Sequence, residues 1–214
     1  MTPDARLAET EASYDTVARS YADLVREALP QQPYLLAALT LLADQVQAAG
    51  GGRVVDVGCG PGHVTAHLHE LGVDALGIDL SPGMIDVARR DHPGLPFEVA
   101  SMTDLHLPPE PVAGLLAWQS LIHIPDDVVP AVLGRFHRAL RPGGLLQLLF
   151  HAGEDSWLKT EGYGGHLMNV RVYRRTPEQM TAWLAHAGFE IEAQMLLDPD
   201  GKFPQALLFA HRRT

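Results

Sequence analysis

The sequence predicts an α/β fold, in which a mostly parallel sheet carries helices on both faces and further helices cover it. Three observations support this prediction. Between residues 53 and 150, short apolar segments alternate with segments of helical periodicity, an order typical of a parallel sheet. Glycines follow the first apolar segment and an aspartate ends the second, as in sheets that bind a nucleotide at their carboxyl edge. Hydrophobic residues make up 46% of the 214 residues, enough for one full core.

Two helices are expected before the sheet. The first, residues 5–28, places Tyr14 and Tyr21 on the same side, because seven residues span nearly two helical turns. The second, residues 33–49, begins with a proline in its first turn and ends at the glycine run 50–52.

The remaining elements follow in chain order. Strands are predicted over residues 53–57, 75–78, 97–100, 112–118 and 145–150. Three helices are predicted between them. One covers 63–71, one begins after the cap Ser81 with Pro82 at its first position, and one covers 126–140 and opens at 125–127. Residues 151–170 have no clear period and are predicted to form a long loop or lid. A helix over 177–187 and strands over 189–196 and 205–211 complete the domain.

Composition excludes several classes of function. The chain has 16 Lys and Arg against 26 Asp and Glu, a net charge of −10, which disfavours a nucleic-acid partner. Cys59 is the only cysteine, which excludes a disulfide framework and a multi-cysteine zinc cluster and fits a reducing cytoplasm. The most apolar stretch, residues 33–43, is too short for a membrane helix, and the N-terminus has no apolar signal region. We therefore expect a cytoplasmic protein that has neither a nucleic acid nor a membrane as its main partner.

A glycine loop carries the strongest functional signal. Gly58, Gly60 and Gly62 separate the first strand from the next helix, so that a ligand can approach the main chain and the helix N-terminus. Asp79 follows at the end of the second strand, beside the loop, where a carboxylate can accept both hydroxyls of a ribose. This pairing indicates an adenosine-type nucleoside.

The spacing discriminates between nucleoside ligands. A dinucleotide fingerprint would place its third glycine at His63, and a P-loop would need Lys followed by Ser or Thr. Asp56, just before the loop, would repel a pyrophosphate, but suits a ligand with a cationic ammonium or sulfonium end.

Three segments resemble successive motifs of the class I S-adenosylmethionine-dependent methyltransferases. They are VVDVGCGPG at 54–62, GIDLSPGMIDVAR at 77–89 and RALRPGGLLQLLF at 138–150, within a resemblance that covers roughly residues 14–211. The resemblance is greatest to small bacterial enzymes of small-molecule metabolism. It implies a Rossmann-like three-layer sandwich with a seven-stranded sheet whose last strand is antiparallel.

The resemblance also implies roles for individual residues. Gly58 and Gly60 would line the methionine part of S-adenosylmethionine, Asp56 would lie near its amino group, and Asp79 would hold the ribose. Leu80 and Met84 would pack on the adenine, and Ser101, where the family usually has aspartate, could bond it together with the Met102 main chain. The full set expected at the cofactor is Tyr14, Tyr21, Asp56, Gly58, Cys59, Gly60, Gly62, Asp79, Leu80, Met84, Ser101, Met102 and Trp118.

Several candidate residues have more than one interpretation. Tyr14 and Tyr21 are either amphipathic packing or part of a helix that closes over cofactor and substrate. His123, after the fourth strand, is a structural histidine, a substrate anchor or a general base, and His151 and His166 are further candidate bases.

The arginine-rich run at 171–175 is expected either to form a solvated edge or to hold an anionic group of the substrate. Alternation would place Arg171, Tyr173 and Arg175 on one face of a strand and Arg174 on the other. The resemblance implies that this segment after the fifth strand belongs to the family's variable substrate lid. The candidate substrate contacts are His123, Tyr163, Arg171 and Tyr173.

No metal is expected, because His63 and His67 lack a nearby third ligand. Cys59 has no local base and is not expected to be a nucleophile.

The sequence thus predicts one domain: a helical cover over 1–49, a cofactor-binding core over 50–150, a lid or substrate loop over 151–176 and a C-terminal helix and strand pair over 177–214. The predicted activity is methyl transfer to an O, N or C nucleophile of a small molecule, which in one alternative carries an acidic group. Two other activities stay open: transfer of the aminocarboxypropyl chain from the same cofactor, and binding of S-adenosylmethionine without catalysis.

Overall fold

The computed structural model describes residues 3–105 and 110–213. Its helices are α1 (Pro3–Ala28), α2 (Pro33–Ala48), α3 (His63–Glu70), α4 (Pro82–Asp91), α5 (Val129–Ala139) and α6 (Pro177–His186). Its strands are β1 (Arg53–Val57), β2 (Asp74–Asp79), β3 (Phe97–Val99), β4 (Val112–Trp118), β5 (Leu140–His151), β6 (Ser156–Gly162), β7 (His166–Tyr173), β8 (Phe189–Leu197) and β9 (Gln205–Arg212).

Seven strands form one sheet in the order β3-β2-β1-β4-β5-β9-β8. All neighbours pair in parallel except β9, which runs antiparallel to both β5 and β8. The predicted seven-stranded α/β sandwich is therefore confirmed, with the last strand in the chain as the antiparallel one. In such a sheet the carboxyl ends of the central strands meet at one edge.

Helices cover both faces of the sheet. On one face α5 and α6 contribute Val132, Phe136 and Leu184 to a core shared with β4 and β5. On the other face α2 and α3 contribute Leu39 and Leu68. These apolar contacts on two sides explain why the inner strands β1, β4 and β5 are mostly apolar.

The first helix packs outside this sandwich. Val17, Ala18 and Ala22 of α1 contact Met84 and Val87 of α4, and Met168 and Val170 of β7 pack in the same cluster. The helix is thereby held across the carboxyl edge of the sheet. No helix in the described part of the chain is both long and apolar enough to cross a membrane.

The prediction of an irregular loop after residue 150 is wrong. Residues 156–173 form an antiparallel hairpin of β6 and β7, a two-stranded sheet separate from the main one. Met168, Val170 and Val172 alternate with exposed neighbours, so one face of the hairpin is buried. The segment is ordered because that face packs on α1 and the core.

Two other boundaries differ from the prediction by three residues or more. Helix α5 begins at Val129 rather than at 126, because Pro130 occupies its first turn while Asp126 bonds Arg175 instead. Strand β5 begins at Leu140 and contains the predicted glycine turn as an irregularity, with Gly143 at a φ of 72°.

Candidate functional site

A cavity of about 360 Å³ lies at the carboxyl ends of β1, β2, β4 and β5, beneath α1. Its volume is within the range of small-molecule sites. Most of the residues that the sequence singled out line it together: Tyr14, Tyr21, Asp56, Gly58, Cys59, Gly60, Asp79, Leu80, Met84, Ser101, Met102, Trp118, His123, His151 and Tyr163.

Four predicted residues lie outside this lining. Gly62 begins α3 at a φ of 82°, and a Cβ there would come 2.6 Å from the Phe97 ring, so its lack of a side chain serves packing. His166 is exposed at the start of β7. Arg171 is exposed and donates to the Ser156 hydroxyl at 3.2 Å, and the Tyr173 hydroxyl accepts from Arg6 at 3.2 Å.

At Gly58, the glycine loop allows the ends of β1 and β4 to approach each other closely. Gly58 has a φ of 79°, and a Cβ built there would lie 2.2 Å from the Cβ of Ser120, after β4. The Ser120 hydroxyl in turn donates to the carbonyl of Val57. Only glycine fits both this backbone conformation and this contact.

Asp79 is fixed by main-chain donors. The amide of Gly60 donates to Oδ2 at 2.8 Å and the amide of Ser81 donates to Oδ1 at 2.9 Å. Burial raises the pKa of Asp79, and these two amides oppose that rise. The carboxylate is thus held rigidly at the end of β2, and each oxygen keeps a lone pair for a ligand.

Asp56 is a buried carboxyl without a cationic partner among the described residues. The Thr65 hydroxyl donates to its Oδ2 at 2.7 Å. Burial raises its pKa to about 7, the Asp79 charge adds to the rise, and the Thr65 hydrogen bond opposes it. A cationic group placed beside Asp56 would reverse that effect, because an opposite charge favours the ionised form.

Tyr14 and His123 form a hydrogen-bonded pair across 109 positions of sequence. The Tyr14 hydroxyl lies 2.8 Å from His123 Nε2, and His123 Nδ1 lies 3.1 Å from the carbonyl of Arg171. A carbonyl only accepts, so Nδ1 carries the proton and Nε2 accepts from Tyr14. Burial lowers the pKa of His123 to about 4 and raises that of Tyr14, so both groups are neutral at pH 7.

Further aromatic rings line the cavity beside Tyr14. The rings of Tyr14 and Tyr21 meet edge to face with centroids 6.1 Å apart, and those of Tyr21 and Tyr163 lie 4.7 Å apart. The Lys159 ammonium lies 3.6 Å from the centroid of the Tyr163 ring. Both tyrosines of α1 therefore face the cavity as well as packing against neighbours, so the two interpretations of the helix are compatible.

His151 lies at the end of β5 against the rings of Trp157 and Phe203, with centroids 5.7 and 6.3 Å away. Burial lowers its pKa to about 4, and its buried Nδ1 has no hydrogen-bond partner among the described residues. It reaches the cavity as a neutral side chain.

Cys59 and the histidines of α3 have no reactive surroundings. Burial and the nearby Asp56 raise the pKa of the Cys59 thiol, which keeps it protonated. The described residues contain no group of three or more His, Cys, Asp or Glu side chains arranged to hold a metal ion. Burial lowers the pKa of His63 to about 4.

Ser101 caps the short turn after β3. Its hydroxyl accepts from the amide of Thr103 at 3.2 Å, and Ser101 and Met102 both line the cavity.

The sequence did not indicate the positioning roles of Asp15 and Arg175. The Asp15 carboxylate of α1 accepts from the Ser81 hydroxyl and from the amide of Gly83, which ties the helix to the start of α4. Arg175 is fully buried and donates to Asp126, at 2.9 Å, and to the carbonyls of Leu121 and Ile124. The prediction that Arg175 shares a face with Arg171 is wrong, because Arg175 lies beyond β7 and turns inward to hold the segment that carries His123.

A family model and two curated proteins match parts of this chain. A family model described as a methyltransferase domain matches residues 54–144. The trans-aconitate 2-methyltransferase of Methylobacterium nodulans is 43% identical over 112 residues, which are 51% of this chain and 42% of that protein. Phosphoethanolamine N-methyltransferase 3 of Arabidopsis thaliana is 31% identical over 160 residues, 69% of this chain and 30% of that protein. The chain spans less than half the length of these two curated relatives.

A solved structure matches over the whole chain. The crystal structure of the 1,6-didemethyltoxoflavin-N1-methyltransferase of Burkholderia thailandensis, with bound 1,6-didemethyltoxoflavin and S-adenosylhomocysteine, gives a TM-score of 0.73 at 19% identity. The match covers 100% of this chain and 92% of that one. At this identity the likeness concerns the fold.

Proposed function

The chain belongs to the class I S-adenosylmethionine-dependent methyltransferases, and from this premise we propose that it transfers a methyl group from S-adenosylmethionine to an O, N or C nucleophile of a small molecule. The names of two relatives and of one protein with a similar fold specify different compounds: trans-aconitate, phosphoethanolamine and 1,6-didemethyltoxoflavin. We therefore base the proposed function on the residues of the cavity rather than on any one relative.

The observation that carries the proposal is a pair of buried carboxyl groups in the cavity without a cationic partner among the described residues. Asp56 and Asp79 both line it, burial raises the pKa of each, and no Lys or Arg is among the described lining residues. S-adenosylmethionine carries an ammonium, a sulfonium and a carboxylate group as well as a sugar diol, and its cationic groups and hydroxyls complement these two carboxyl groups. A pyrophosphate ligand would be repelled.

Each part of the cofactor has matching side chains. Asp79 would accept the ribose hydroxyls, and Asp56 would face the ammonium group. Leu80 and Met84 would cover the adenine, with Ser101 and Met102 at its edge. Gly58 and Gly60 would let the methionine part lie against the main chain.

The cofactor supplies the chemistry in the form of a methyl group on a positively charged sulfur. The chain's task is to align the acceptor, exclude water and, where the acceptor arrives protonated, accept its proton. Helix α1 and the Tyr14, Tyr21 and Tyr163 rings close the cavity from above. His123 is neutral at pH 7, so its Nε2 can accept a proton through the Tyr14 hydroxyl, which passes its own proton on as it takes one from the acceptor.

The location and partners of the enzyme are part of the proposal. The acidic balance and the single free cysteine support a cytoplasmic enzyme with neither a nucleic acid nor a membrane as partner, and we propose that it acts as a monomer or homodimer.

A ligand titration tests the proposal. S-adenosylmethionine and S-adenosylhomocysteine are expected to raise the melting temperature, and nicotinamide dinucleotides are not. With acceptor libraries, the product distinguishes the reactions: S-adenosylhomocysteine indicates methyl transfer, and methylthioadenosine indicates transfer of the aminocarboxypropyl chain. A response to dinucleotides alone would contradict the proposal.

The role of His123 has its own test. His123→Ala is expected to lower turnover far more than affinity for S-adenosylhomocysteine. His186→Ala, which removes an exposed histidine at the end of α6, is the matched control. Equal losses of turnover and affinity would assign His123 a structural role.

A further inference from the structure

An inward-facing lysine of the hairpin has no partner of opposite charge. Lys159 lies on β6 directly opposite the buried Val170 of β7, so both side chains are on the face of the hairpin that packs on α1. Lys159 is half-buried, whereas its neighbours Leu158 and Thr160 are exposed. No hydrogen bond or ion pair reaches its ammonium from the described residues. A cation on an inner face is costly unless it is paired, which indicates a partner from outside the chain.

The ammonium lies against an aromatic ring of the cavity instead. Lys159 Nζ is 3.6 Å from the centroid of the Tyr163 ring. Tyr163 lines the cavity from the tip of the hairpin, and its ring meets that of Tyr21. The backbone of Tyr163 has a φ of 50°, a strained conformation of the kind that clusters at functional sites. The hairpin tip thus brings the ring into the cavity and the cation to its border.

Lys159 borders the side of the cavity where β4 and β5 end. Its charge contributes to lowering the pKa of His123, after β4, and that of His151, at the end of β5. Asp56 and Asp79, which would hold the cofactor, lie near the ends of β1 and β2. Since β4 and β5 follow β2 and β1 in the order of the sheet, the cation and the two carboxyl groups are on different sides of the cavity.

The other cations of this segment are engaged by the protein. Arg171 donates to a serine hydroxyl, Arg174 to a main-chain carbonyl and Arg175 to an aspartate carboxylate. Of the four Lys and Arg residues at 156–175, Lys159 is therefore the one without a hydrogen-bond or ion-pair partner in the described part of the chain.

The bound cofactor would leave this cation unpaired. In the proposed orientation, the ammonium of S-adenosylmethionine neutralises Asp56 and its sugar hydroxyls bind Asp79. Its carboxylate is attached to the same carbon as the ammonium, so it stays beside β1 rather than near the end of β5. The ligand that reaches Lys159 is then the methyl acceptor.

We propose that Lys159 determines the specificity for the acceptor by binding an anionic group of it, a carboxylate or a phosphate. The flexible four-carbon side chain lets the ammonium turn from the Tyr163 ring towards the cavity. Helix α1 and the hairpin shield the resulting ion pair from water, which makes it stronger than a pair on the surface. This inference rests on the proposed function for the reaction, and it assigns to Lys159 the role that the sequence suggested for the arginines at 171–175.

Probes that differ in charge test the inference. Benzoate and phenylphosphonate are compared with the neutral benzamide, each titrated at millimolar concentration and followed by saturation-transfer NMR. The protein is loaded with S-adenosylhomocysteine, whose own binding is first established by calorimetry. We expect the native protein to bind the two anions roughly tenfold or more tightly than the amide.

Variants assign this preference to one side chain. Lys159→Met keeps the length of the side chain and is expected to abolish the preference for anions, whereas Lys159→Arg is expected to retain it. Lys202→Met removes the other lysine of the chain, which is exposed, and is expected to change nothing. Equal binding of benzoate and benzamide by the native protein, no binding of either anion, or an unchanged preference in Lys159→Met would overturn the inference.

A second comparison separates the acceptor from the cofactor as the source of the anion. S-adenosylmethionine and its decarboxylated form are expected to bind Lys159→Met within twofold of their affinities for the native protein. A loss for S-adenosylmethionine alone would assign Lys159 to the carboxylate of the cofactor and overturn the inference. Failure of the native protein to bind S-adenosylhomocysteine would overturn the proposed function instead.

Discussion

Replacing the buried carboxyl at the end of β1 is expected to stabilise the free protein at alkaline pH. Asp56→Asn keeps the shape of the side chain and an oxygen that can accept from Thr65. In the native chain, burial raises the pKa of Asp56 from the ordinary 3.8 to about 7. That rise corresponds to about 4 kcal/mol of preference for the neutral form.

The pH dependence has a definite sign. Because the folded pKa lies above the unfolded one, the protonated carboxyl's contribution to stability is complete below pH 3.8 and is lost as pH rises through 7. Between pH 5 and pH 8 this loss amounts to about 2–3 kcal/mol. Asparagine does not titrate, so the free energy of unfolding of the variant, relative to the native protein, is expected to rise by that amount over the same interval.

Urea unfolding at pH 5 and pH 8, followed by circular dichroism without ligand, measures the difference. Asp44→Asn, at an exposed position of α2, is the matched control and is expected to show no such change. Parallel pH profiles for Asp56→Asn and the native protein would refute the reasoning, since they would mean that Asp56 is ionised in the folded state at no cost.

Ligand binding is expected to respond in the opposite direction. An ammonium group beside Asp56 requires the ionised carboxylate, so the affinity of the native protein for S-adenosylmethionine should fall up to tenfold for each pH unit below about 7. The variant should bind weakly at every pH. Calorimetry across pH 5–8 checks this expectation, and a flat native profile would mean that the ammonium lies elsewhere.

Three further predictions concern single residues. Asp79→Asn should weaken S-adenosylhomocysteine binding at least tenfold by calorimetry, because the amide nitrogen of asparagine cannot accept a ribose hydroxyl, and an unchanged affinity would contradict the contact of Asp79 with the ribose. Gly62→Ala should destabilise the fold by about 2 kcal/mol or more in urea, because of its positive φ and the Phe97 contact, yet leave affinity for S-adenosylhomocysteine unchanged in the folded protein; a lost affinity would show that Gly62 contacts the cofactor after all. Arg175→Met should cost about 3–5 kcal/mol in urea because it leaves two carbonyls unpaired in the core, and a smaller loss than in the exposed control Arg138→Met would rule out its holding role.

The main sheet could be predicted from the sequence because its signals are local. An apolar strand, glycines and a helical period repeat along 53–150, and each is visible within a window of about ten residues. The hairpin of β6 and β7 was missed for the same reason, since glycines and charges dominate its sequence. A signal was present: Met168, Val170 and Val172 alternate as a half-buried strand requires.

The part of the site that lies within one local motif could be predicted from the sequence. The contacts between segments that are distant in sequence could not. Asp56, Gly58, Gly60 and Asp79 lie within 24 residues of one another and line one cavity, as their spacing indicated. The contact between Tyr14 and His123 joins segments 109 positions apart, and no local pattern encodes it. Arg175 is a similar case, because a charged run usually indicates solvent, and only the tertiary structure shows three acceptors around a buried guanidinium.

The place of β9 has a consequence for how the chain is made. Residues 205–212 fill the gap between β5 and β8, so they pair on both sides, with 145–151 and with 189–197. While a ribosome is still adding them, β8 has already been synthesised and has no neighbour within the sheet, and the open border of β5 offers free amide and carbonyl groups to other nascent chains. Because β9 follows both of its neighbours in the chain, it is the strand that closes this end of the sheet, and a nascent chain in which it has not yet paired exposes the border of β5 to aggregation.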